Sequence, residues 1–316
     1  NIKATSGAIT VNAGDGNDVV TLGSQAPNHT GGTVNGITAS VTVNGDGGSD
    51  TMYVDDTADL TGNTGTLTAT TLSGLSAGTI TYGTVETLNI DLGTGGDTFT
   101  ITDTHAGTTN LTTNGGIDTV NVTDTHGTTT INTGDAGDYV NVNAIHAATS
   151  IDTGTENDTV RVGSLAPTPS GGKVDSIAEL LTVTGGDGSD AMYVDDTGDS
   201  TANTGTLTAT KLTGLGMGGG LSTKGISYNT LESLNIGLGS GDDIFTMEST
   251  HAGNTSLETN GGGDTVNIQS VAGTTLVQAG AADDTVNVGN TAPTTGGNMN
   301  QIAAHLTING QGQGAN

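Results

Sequence analysis

Aspartate recurs in this chain at a spacing that could build a row of cation sites. Four aspartates between residues 97 and 158 are spaced by 21, 20 and 20 residues, and three more follow between residues 243 and 284. They are Asp97, Asp118, Asp138, Asp158, Asp243, Asp264 and Asp284. Each precedes a short string with apolar residues on alternate positions. Because carboxylate oxygens are preferred ligands of hard cations such as Ca²⁺, the spacing predicts a cation site that repeats from coil to coil.

Glycine-rich turns lead into these aspartates and into related ones elsewhere, as in 14–18 (GDGND), 93–97 (GTGGD), 185–190 (GGDGSD) and 239–243 (GSGDD). Glycine permits a positive φ and leaves carbonyl oxygens pointing into a tight turn. Each aspartate shares the parity of the apolar positions, so its side chain is expected to point back into the corner. The candidate cation ligands are Asp15, Asp18, Asp50, Asp97, Asp118, Asp138, Asp158, Asp187, Asp190, Asp242, Asp243, Asp264 and Asp284.

The segment 185–192 resembles the glycine-aspartate nonapeptide of the RTX calcium-binding family, GGxGxDxUx, at eight consecutive positions. The resemblance implies calcium held by aspartate and carbonyl oxygens. In that family the nonapeptide recurs in tandem, whereas here it occurs once in about 20 residues, and the turns at 134–138, 154–158 and 280–284 lack the second glycine. We therefore expect Ca²⁺ at some corners only. The alternative is a solvated turn in which each aspartate caps its own backbone.

The elements that would position these corners are short strands. Apolar residues on alternate positions are typical of a strand with one buried face, and Val120, Val122, Val140, Val142, Val160 and Val162 are predicted to stack inward. Two short strands in each repeat, separated by glycine-rich corners, predict an all-β fold. We expect a right-handed parallel β-helix (β-solenoid) with coils of about 20 residues.

A longer repeat divides the chain into two cassettes. The segment 187–197 copies 47–57 at a shift of 140 residues, and 250–253 copies 104–107 at a shift of 146. We expect one continuous solenoid over 1–316, with cassettes at about 22–161 and 162–287 and partial repeats at 1–21 and 288–316. Neither terminus has the sequence of a cap, which predicts end-to-end self-association into a filament or continuation in a longer chain.

Composition excludes several classes of function. Only 31% of the residues are hydrophobic and 2% aromatic, too few for one large globular core at 316 residues. The 33 acidic and five basic residues give a net charge of −28, which would repel nucleic acid and anionic lipid surfaces. The chain has no cysteine, and no apolar run reaches the ~18 residues of a membrane span. We expect neither a nucleic-acid partner nor a membrane span.

Two further groups of residues could do chemistry. His105, His126 and His146 are spaced by 21 and 20 residues and should form a column. Side chains diverge along such a column, so hydrogen-bonded turn residues are favoured over a transition-metal site. The paired acids Asp55-Asp56 and Asp195-Asp196 could serve glycoside hydrolysis. The five basic residues do not occupy equivalent repeat positions, which favours a second cation site or a plain acidic corner.

Three loop excursions interrupt the coil rhythm after Ala26-Pro27, Ala166-Pro167 and Ala292-Pro293. The middle excursion, at 173–181, has apolar residues at helical spacing and an acidic start, which predicts a short helix. Each excursion could pack on its own coil or could protrude as a knob for lateral contact.

The cassettes resemble those of very large secreted bacterial repeat proteins, in that the pattern at 80–90 recurs at 226–236 and leads into a glycine-aspartate turn. The resemblance implies an extracellular or cell-surface location and a structural or adhesive role, with surface glycans as a class of partner. We expect no enzymatic activity. A solenoid module that binds ice or carbohydrate is the alternative, and a polysaccharide-active β-helix enzyme ranks third.

Overall fold

The computed structural model describes residues 1–310 of the chain, which form an almost purely β structure. These residues contain 27 strands, which belong to two sheets of 14 and 13 strands, and one short 3-10 helix. The fold is the β-solenoid that the sequence predicts. The described part divides into two compact units, one of Asn1–Val140 with Ile145–Glu156, the other of Asn141–Ala144 with the residues from Asn157 onward.

The strands up to residue 156 are β1 (Ile9–Asn12), β2 (Val19–Leu22), β3 (Val41–Asn44), β4 (Thr51–Asp55), β5 (Thr64–Leu67), β6 (Thr71–Ser73), β7 (Ile80–Gly83), β8 (Thr87–Asp91), β9 (Thr98–Ile101), β10 (Thr108–Thr112), β11 (Thr119–Val122), β12 (Thr128–Asn132), β13 (Tyr139–Val142) and β14 (Thr149–Asp152). In the first unit, one sheet runs β1-β3-β7-β6-β5-β9-β11 and the other runs β2-β4-β8-β10-β12-β14.

The remaining elements are β15 (Thr159–Val162), β16 (Leu180–Thr184), β17 (Ala191–Asp195), β18 (Thr204–Leu207), β19 (Lys211–Gly214), the 3-10 helix (Met217–Gly220), β20 (Gly225–Asn229), β21 (Ser233–Gly237), β22 (Ile244–Met247), β23 (Asn254–Glu258), β24 (Thr265–Ile268), β25 (Thr275–Gln278), β26 (Thr285–Val288) and β27 (Leu306–Asn309). In the second unit the sheets run β15-β17-β21-β23-β25-β27 and β16-β20-β19-β18-β22-β24-β26.

The core is a column of apolar side chains that stack from coil to coil. Parallel strands pair in register, so that Val120 lies beside Phe99 and Ile131 lies beside Leu111. The six valines predicted to face inward are all buried, at 2% exposure or less. Because strand side chains alternate between faces, the polar residues between them are left nearer to solvent. Alternating apolar residues that stack between coils thus give this chain a buried core, although it has too few apolar residues for one large globular core.

One feature of each unit departs from the expected parallel coils. β6 pairs antiparallel with β5 and β7, and β19 pairs antiparallel with β18 and β20. A Cβ atom at Gly65 in β5 would lie 2.4 Å from the ring of Phe99, so only glycine lets this ring pack against the neighbouring strand. The repeat unit therefore includes a three-stranded antiparallel segment that the repeat pattern alone does not reveal.

The three excursions lie between β2 and β3, between β15 and β16, and between β26 and β27. The Ala-Pro peptide bond that opens each excursion is cis. The predicted helix at 173–181 is wrong, because this segment forms turns and a bridge before β16 begins at Leu180. The N–H of Ile177 donates to the carbonyl of Val174, which closes a single turn. Both apolar side chains are fully buried in this turn, so the apolar spacing is met without a helix.

Candidate functional site

The aspartates that precede the strands form carboxylate ladders. The backbone N–H of Asp97 donates to Oδ1 of Asp118 at 2.6 Å, and the N–H of Asp118 donates to Oδ1 of Asp138 at 2.7 Å. Each carboxylate thus accepts the amide of the equivalent residue in the preceding coil. We call these rows the acid ladders; they are Asp18–Asp50–Glu86, Asn63–Asp97–Asp118–Asp138, Asp158–Asp190–Glu232 and Asn203–Asp243–Asp264–Asp284.

Local sequence explains why aspartate occupies these positions. Asp118 lies immediately before β11, and the N–H of Thr119 already donates to the carbonyl of Asp97. The amide one residue earlier lies beyond the regular parallel ladder, so a side-chain oxygen from the next coil satisfies it. A buried N–H without an acceptor would cost about 1–3 kcal/mol. Aspartate therefore works here much as it does at the N-cap of a helix, but between coils.

The predicted cation ligands divide into three groups by burial. Those buried at 3% exposure or less are Asp50, Asp97, Asp118, Asp138, Asp158, Asp190, Asp243 and Asp264. Asp18 and Asp284 are partly buried, and Asp15, Asp187 and Asp242 are exposed at the turns. The structure therefore brings ten of the thirteen into the acid ladders. The alternative that each aspartate caps its own backbone is wrong for eight of these ten, because the amide that each caps belongs to the neighbouring coil. The eight are Asp50, Asp97, Asp118, Asp138, Asp190, Asp243, Asp264 and Asp284.

The second carboxylate oxygen of several ladder residues is buried without a hydrogen-bond partner. These atoms are Oδ2 of Asp18, Asp50, Asp97, Asp118, Asp190 and Asp264. Burial raises the pKa of Asp118 and of Asp264 to about 6, against the opposing effect of the amide that each accepts. A buried ionised oxygen with no partner is costly. The ladders therefore favour either a bound proton or a bound cation at these oxygens.

Sequence reasoning missed the residues that complete the ladders. Oε2 of Glu86 accepts the N–H of Asp50 at 2.7 Å, and Oε2 of Glu232 accepts the N–H of Asp190 at the same distance. Asn63 donates its own N–H to the first carboxylate of its ladder. The signal was present, because glutamate at these two positions precedes a strand with the same alternation as the aspartates.

The corner backbone requires a positive φ even where the sequence has no glycine. Gly188 has a φ of +142°, and a Cβ atom at Gly48 would lie 1.7 Å from the carbonyl oxygen of Gly16. In the turns that lack the second glycine, Ala136 and Glu156 adopt φ values of 95° and 77°. The corner geometry is thus kept in the degraded copies, at a cost in backbone strain that glycine avoids.

The paired acids of the first cassette attach the first excursion to the following coil. Oδ2 of Asp55 accepts the N–H of Gly32 at 2.8 Å, and Oδ1 of Asp56 accepts the N–H of Val34 at 2.9 Å. The other oxygens accept from Thr57 and from the Asn63 side chain. All four oxygens have hydrogen-bond partners, so this pair acts as a clamp on the loop.

The second cassette repeats this clamp. Asp195 and Asp196 accept the N–H groups of Gly172 and Val174 at 2.8 and 3.1 Å. The sequence pattern Asp-Asp after a Met-Tyr-Val strand therefore marks the attachment point of an excursion in both cassettes. Through these bonds each loop is held by the following coil, where β4 and β17 lead into the paired acids.

The carboxyl groups at and beside the clamp differ in their pKa values. Desolvation raises the pKa of Asp56 and of Asp196 to about 7, against the hydrogen bond that each accepts from a backbone amide. Burial also opposes ionisation of Asp199, but hydrogen bonds from Thr201 and Lys173 outweigh it and hold the pKa of Asp199 well below its usual range. The clamp therefore places a carboxyl that takes up protons readily beside one that stays ionised.

The histidines do not form the uniform column that their spacing predicts. His105 accepts the N–H of Gly107 in its own turn at 3.1 Å, which is the role expected of a turn residue. His126 and His146 have nearly parallel rings whose centroids lie 5.1 Å apart. Nδ1 of His126 lies 2.7 Å from Oδ1 of Asp103, and Nδ1 of His146 lies 2.8 Å from Oδ1 of Asp124.

No protein-family model matches the chain, and no curated protein is similar enough to indicate a relationship. Over residues 1–310, no helix has the length and apolar character needed to cross a membrane.

Proposed function

We propose that the chain is a structural or adhesive segment of an extracellular bacterial surface or fibre protein, whose solenoid is stabilised by cations at the acid ladders and corners. The observation that carries the proposal is the set of buried carboxylate oxygens without partners, repeated from coil to coil. Ca²⁺ takes oxygen ligands and tolerates irregular geometry, so carboxylate and corner carbonyl oxygens together suit it.

The negative net charge of the chain supports a stabilising role for cations. With 33 acidic and five basic residues, the chain repels itself unless protons or cations neutralise part of the charge. Consecutive ladder carboxylates belong to neighbouring coils, at roughly 5 Å spacing, where two ionised groups oppose the fold by about 1 kcal/mol even in a water-like dielectric. A divalent ion shared by two coils would remove that repulsion and supply the missing partner for the buried oxygens.

The strand edges support assembly. Within residues 1–310, β1 pairs on one side only, with β3, and β27 pairs on one side only, with β25. An open edge offers unpaired N–H and C=O groups to another coil. That coil can come from a second copy of the chain or from a longer parent chain, and surface glycans are the class of partner that an adhesive role implies.

The experiment is thermal unfolding of the chain, followed by circular dichroism at neutral pH, in excess chelator and then in millimolar Ca²⁺ or Mg²⁺. Ligand-linked stability predicts a midpoint that rises by several degrees in Ca²⁺ and increases with its concentration. Sedimentation velocity in the same buffers measures association, which is expected to grow with protein concentration.

An unfolding midpoint that is the same in chelator and in Ca²⁺ would refute the cation role. A sedimentation coefficient independent of concentration would refute end-to-end association of this chain and leave the ladder proposal standing. The two readouts thus separate the two parts of the proposal.

A further inference from the structure

A second kind of metal-binding side chain lies on the first unit, away from the acid ladders. Asp124, His126 and His146 place one carboxylate oxygen and two imidazole nitrogens within 4.8 Å of one another. Oδ1 of Asp124 lies 2.8 Å from Nδ1 of His146, and its Oδ2 lies 4.0 Å from Nδ1 of His126. Oδ1 of Asp103 lies 2.7 Å from the same Nδ1 atom of His126.

The four side chains are supplied by three successive corners. The backbone of each histidine is hydrogen-bonded to the preceding coil. The N–H of His146 donates to the carbonyl of Thr125, and the N–H of His126 donates to Oγ1 of Thr104. The backbone therefore sets the order carboxylate, imidazole, carboxylate, imidazole. The divergence expected of a simple histidine column is avoided because the aspartate of one corner reaches the histidine of the next.

The second cassette has the same backbone without these side chains. The N–H of Ala272 donates to Oγ1 of Thr250, as that of His126 does to Thr104, and the N–H of Ala303 donates to the carbonyl of Val271. Ala272 and Ala303 thus stand where the first cassette has His126 and His146. Ser249 and Ser270 likewise stand in place of Asp103 and Asp124. The solenoid forms at these corners without any of the four groups, so their presence in the first cassette is not required by the fold.

We propose that Asp124, His126 and His146 bind one transition-metal ion of the Zn²⁺ class. Two imidazoles and carboxylate oxygens form a borderline N/O ligand set, which suits Zn²⁺, Co²⁺ or Ni²⁺ and not the all-oxygen preference of Ca²⁺. The site is thus chemically distinct from the acid ladders.

The site can close on a metal by small side-chain movements. The ligand atoms all lie within 4.8 Å of one another. Bonds from Zn²⁺ to nitrogen and oxygen are about 2.0–2.2 Å, so these atoms need to approach one another only slightly to share one ion. The side chains of His126 and His146 are 54% and 48% exposed, which leaves the site open to an ion from solvent.

The test is a calorimetric titration of the full chain with Zn²⁺ at neutral pH, in excess Ca²⁺ so that the acid ladders do not compete. The parent chain is expected to bind one equivalent, and Co²⁺ is expected to give the visible absorption of a nitrogen-ligated ion. The double variant His126→Ala and His146→Ala should lose this equivalent, since it installs the residues of the second cassette. The control His251→Ala, which changes a histidine outside the group, should retain it.

A double variant that still binds one equivalent, or a parent chain that binds none, would overturn the site. Because a variant could fail to fold, the parent chain is also followed by nitrogen NMR of its histidine side chains. Selective shifts of the Nδ1 signals of His126 and His146 on adding Zn²⁺ support the site without any substitution. Unchanged signals at a concentration that saturates the protein would refute it.

Discussion

A single ladder carboxylate has two separable tasks, to accept an amide and to carry a charge. Oδ1 of Asp118 accepts the N–H of Asp97, while its Oδ2 is buried without a hydrogen-bond partner. Asparagine keeps the acceptor and removes the charge, and alanine removes both.

We expect Asp118→Ala to be less stable than Asp118→Asn by about 1–3 kcal/mol in chelator, because alanine leaves the Asp97 amide without its acceptor. Urea unfolding of the two variants measures the difference. If Ca²⁺ binds at this carboxylate, both variants gain less stability from Ca²⁺ than the parent chain does. Equal stability of the two variants in chelator would show that the amide bond contributes nothing.

Residues with a positive φ at degraded corners offer a test of backbone strain. Ala136 has a φ of 95° at a position where better copies of the turn have glycine. We expect Ala136→Gly to stabilise the chain by about 1 kcal/mol, because a Cβ atom is disfavoured in this conformation.

The matched control for this change is Ala148→Gly, at an exposed corner residue that is not among those with a positive φ. There glycine only adds freedom to the unfolded chain and should destabilise by about 0.5–1 kcal/mol. Thermal or urea unfolding measures both changes. Two shifts of the same sign would contradict the strain assigned to Ala136.

At the scale of the element, alternation was enough to predict the strands and the inward face. Val120 and Val122 are buried as their parity requires, and the parallel register follows from the equal spacing of the coils. The antiparallel strand β6 was not predictable in the same way. Three residues carry too little periodicity to mark a strand or its direction.

The candidate site was predictable in part for a similar reason. Parity places each aspartate at the corner and facing inward, and glycine marks the turn. The partner of each carboxylate depends on which amide of the neighbouring coil lies beyond the regular ladder, and no single coil contains that information. The same holds for Asp124 and His146, whose contact joins two corners.

The excursions show how side-chain acceptors decide the form of a loop. The carboxylates of Asp195 and Asp196, at the end of β17, accept amides of the middle excursion. These amides lie at the start of the predicted helix, where backbone N–H groups have no partner within a helix, so the bonds fix the start of the excursion. The clamp holds the first excursion in the same way, through Asp55 and Asp56.

At the scale of the whole molecule, buried carboxyls with raised pKa values couple stability to pH. The pKa values of Asp56 and Asp196 are raised to about 7, and those of Asp118 and Asp264 to about 6, in each case chiefly by burial. In the unfolded chain these groups titrate near 4. The folded state therefore binds more protons than the unfolded state between about pH 4 and 7, and stability falls as the pH rises through that window.

Other titratable groups change the stability of the fold in the same pH range or at lower pH. Burial lowers the pKa of His105 and of His251, so their contribution to stability is lost as the pH falls below about 6.5 and opposes the carboxyl effect. Hydrogen bonds lower the pKa of Asp59 and of Asp199 despite the opposing effect of burial, and those contributions are lost only in stronger acid. A whole-chain pH profile therefore mixes signs, and a single substitution is needed to isolate one carboxyl.

The variant Asp196→Asn isolates the effect of one buried carboxyl, because asparagine keeps the oxygen that accepts the Val174 amide and cannot ionise. In excess chelator we expect the variant to be more stable than the parent chain at pH 8, by an amount on the order of 2–4 kcal/mol. At pH 5, where the carboxyl of the folded parent is protonated, the difference should largely disappear. The control Asp152→Asn changes an exposed carboxylate of β14 and should show no such dependence. Urea unfolding at the two pH values measures the effect, and an equal gain at both would mean that Asp196 is not protonated on folding.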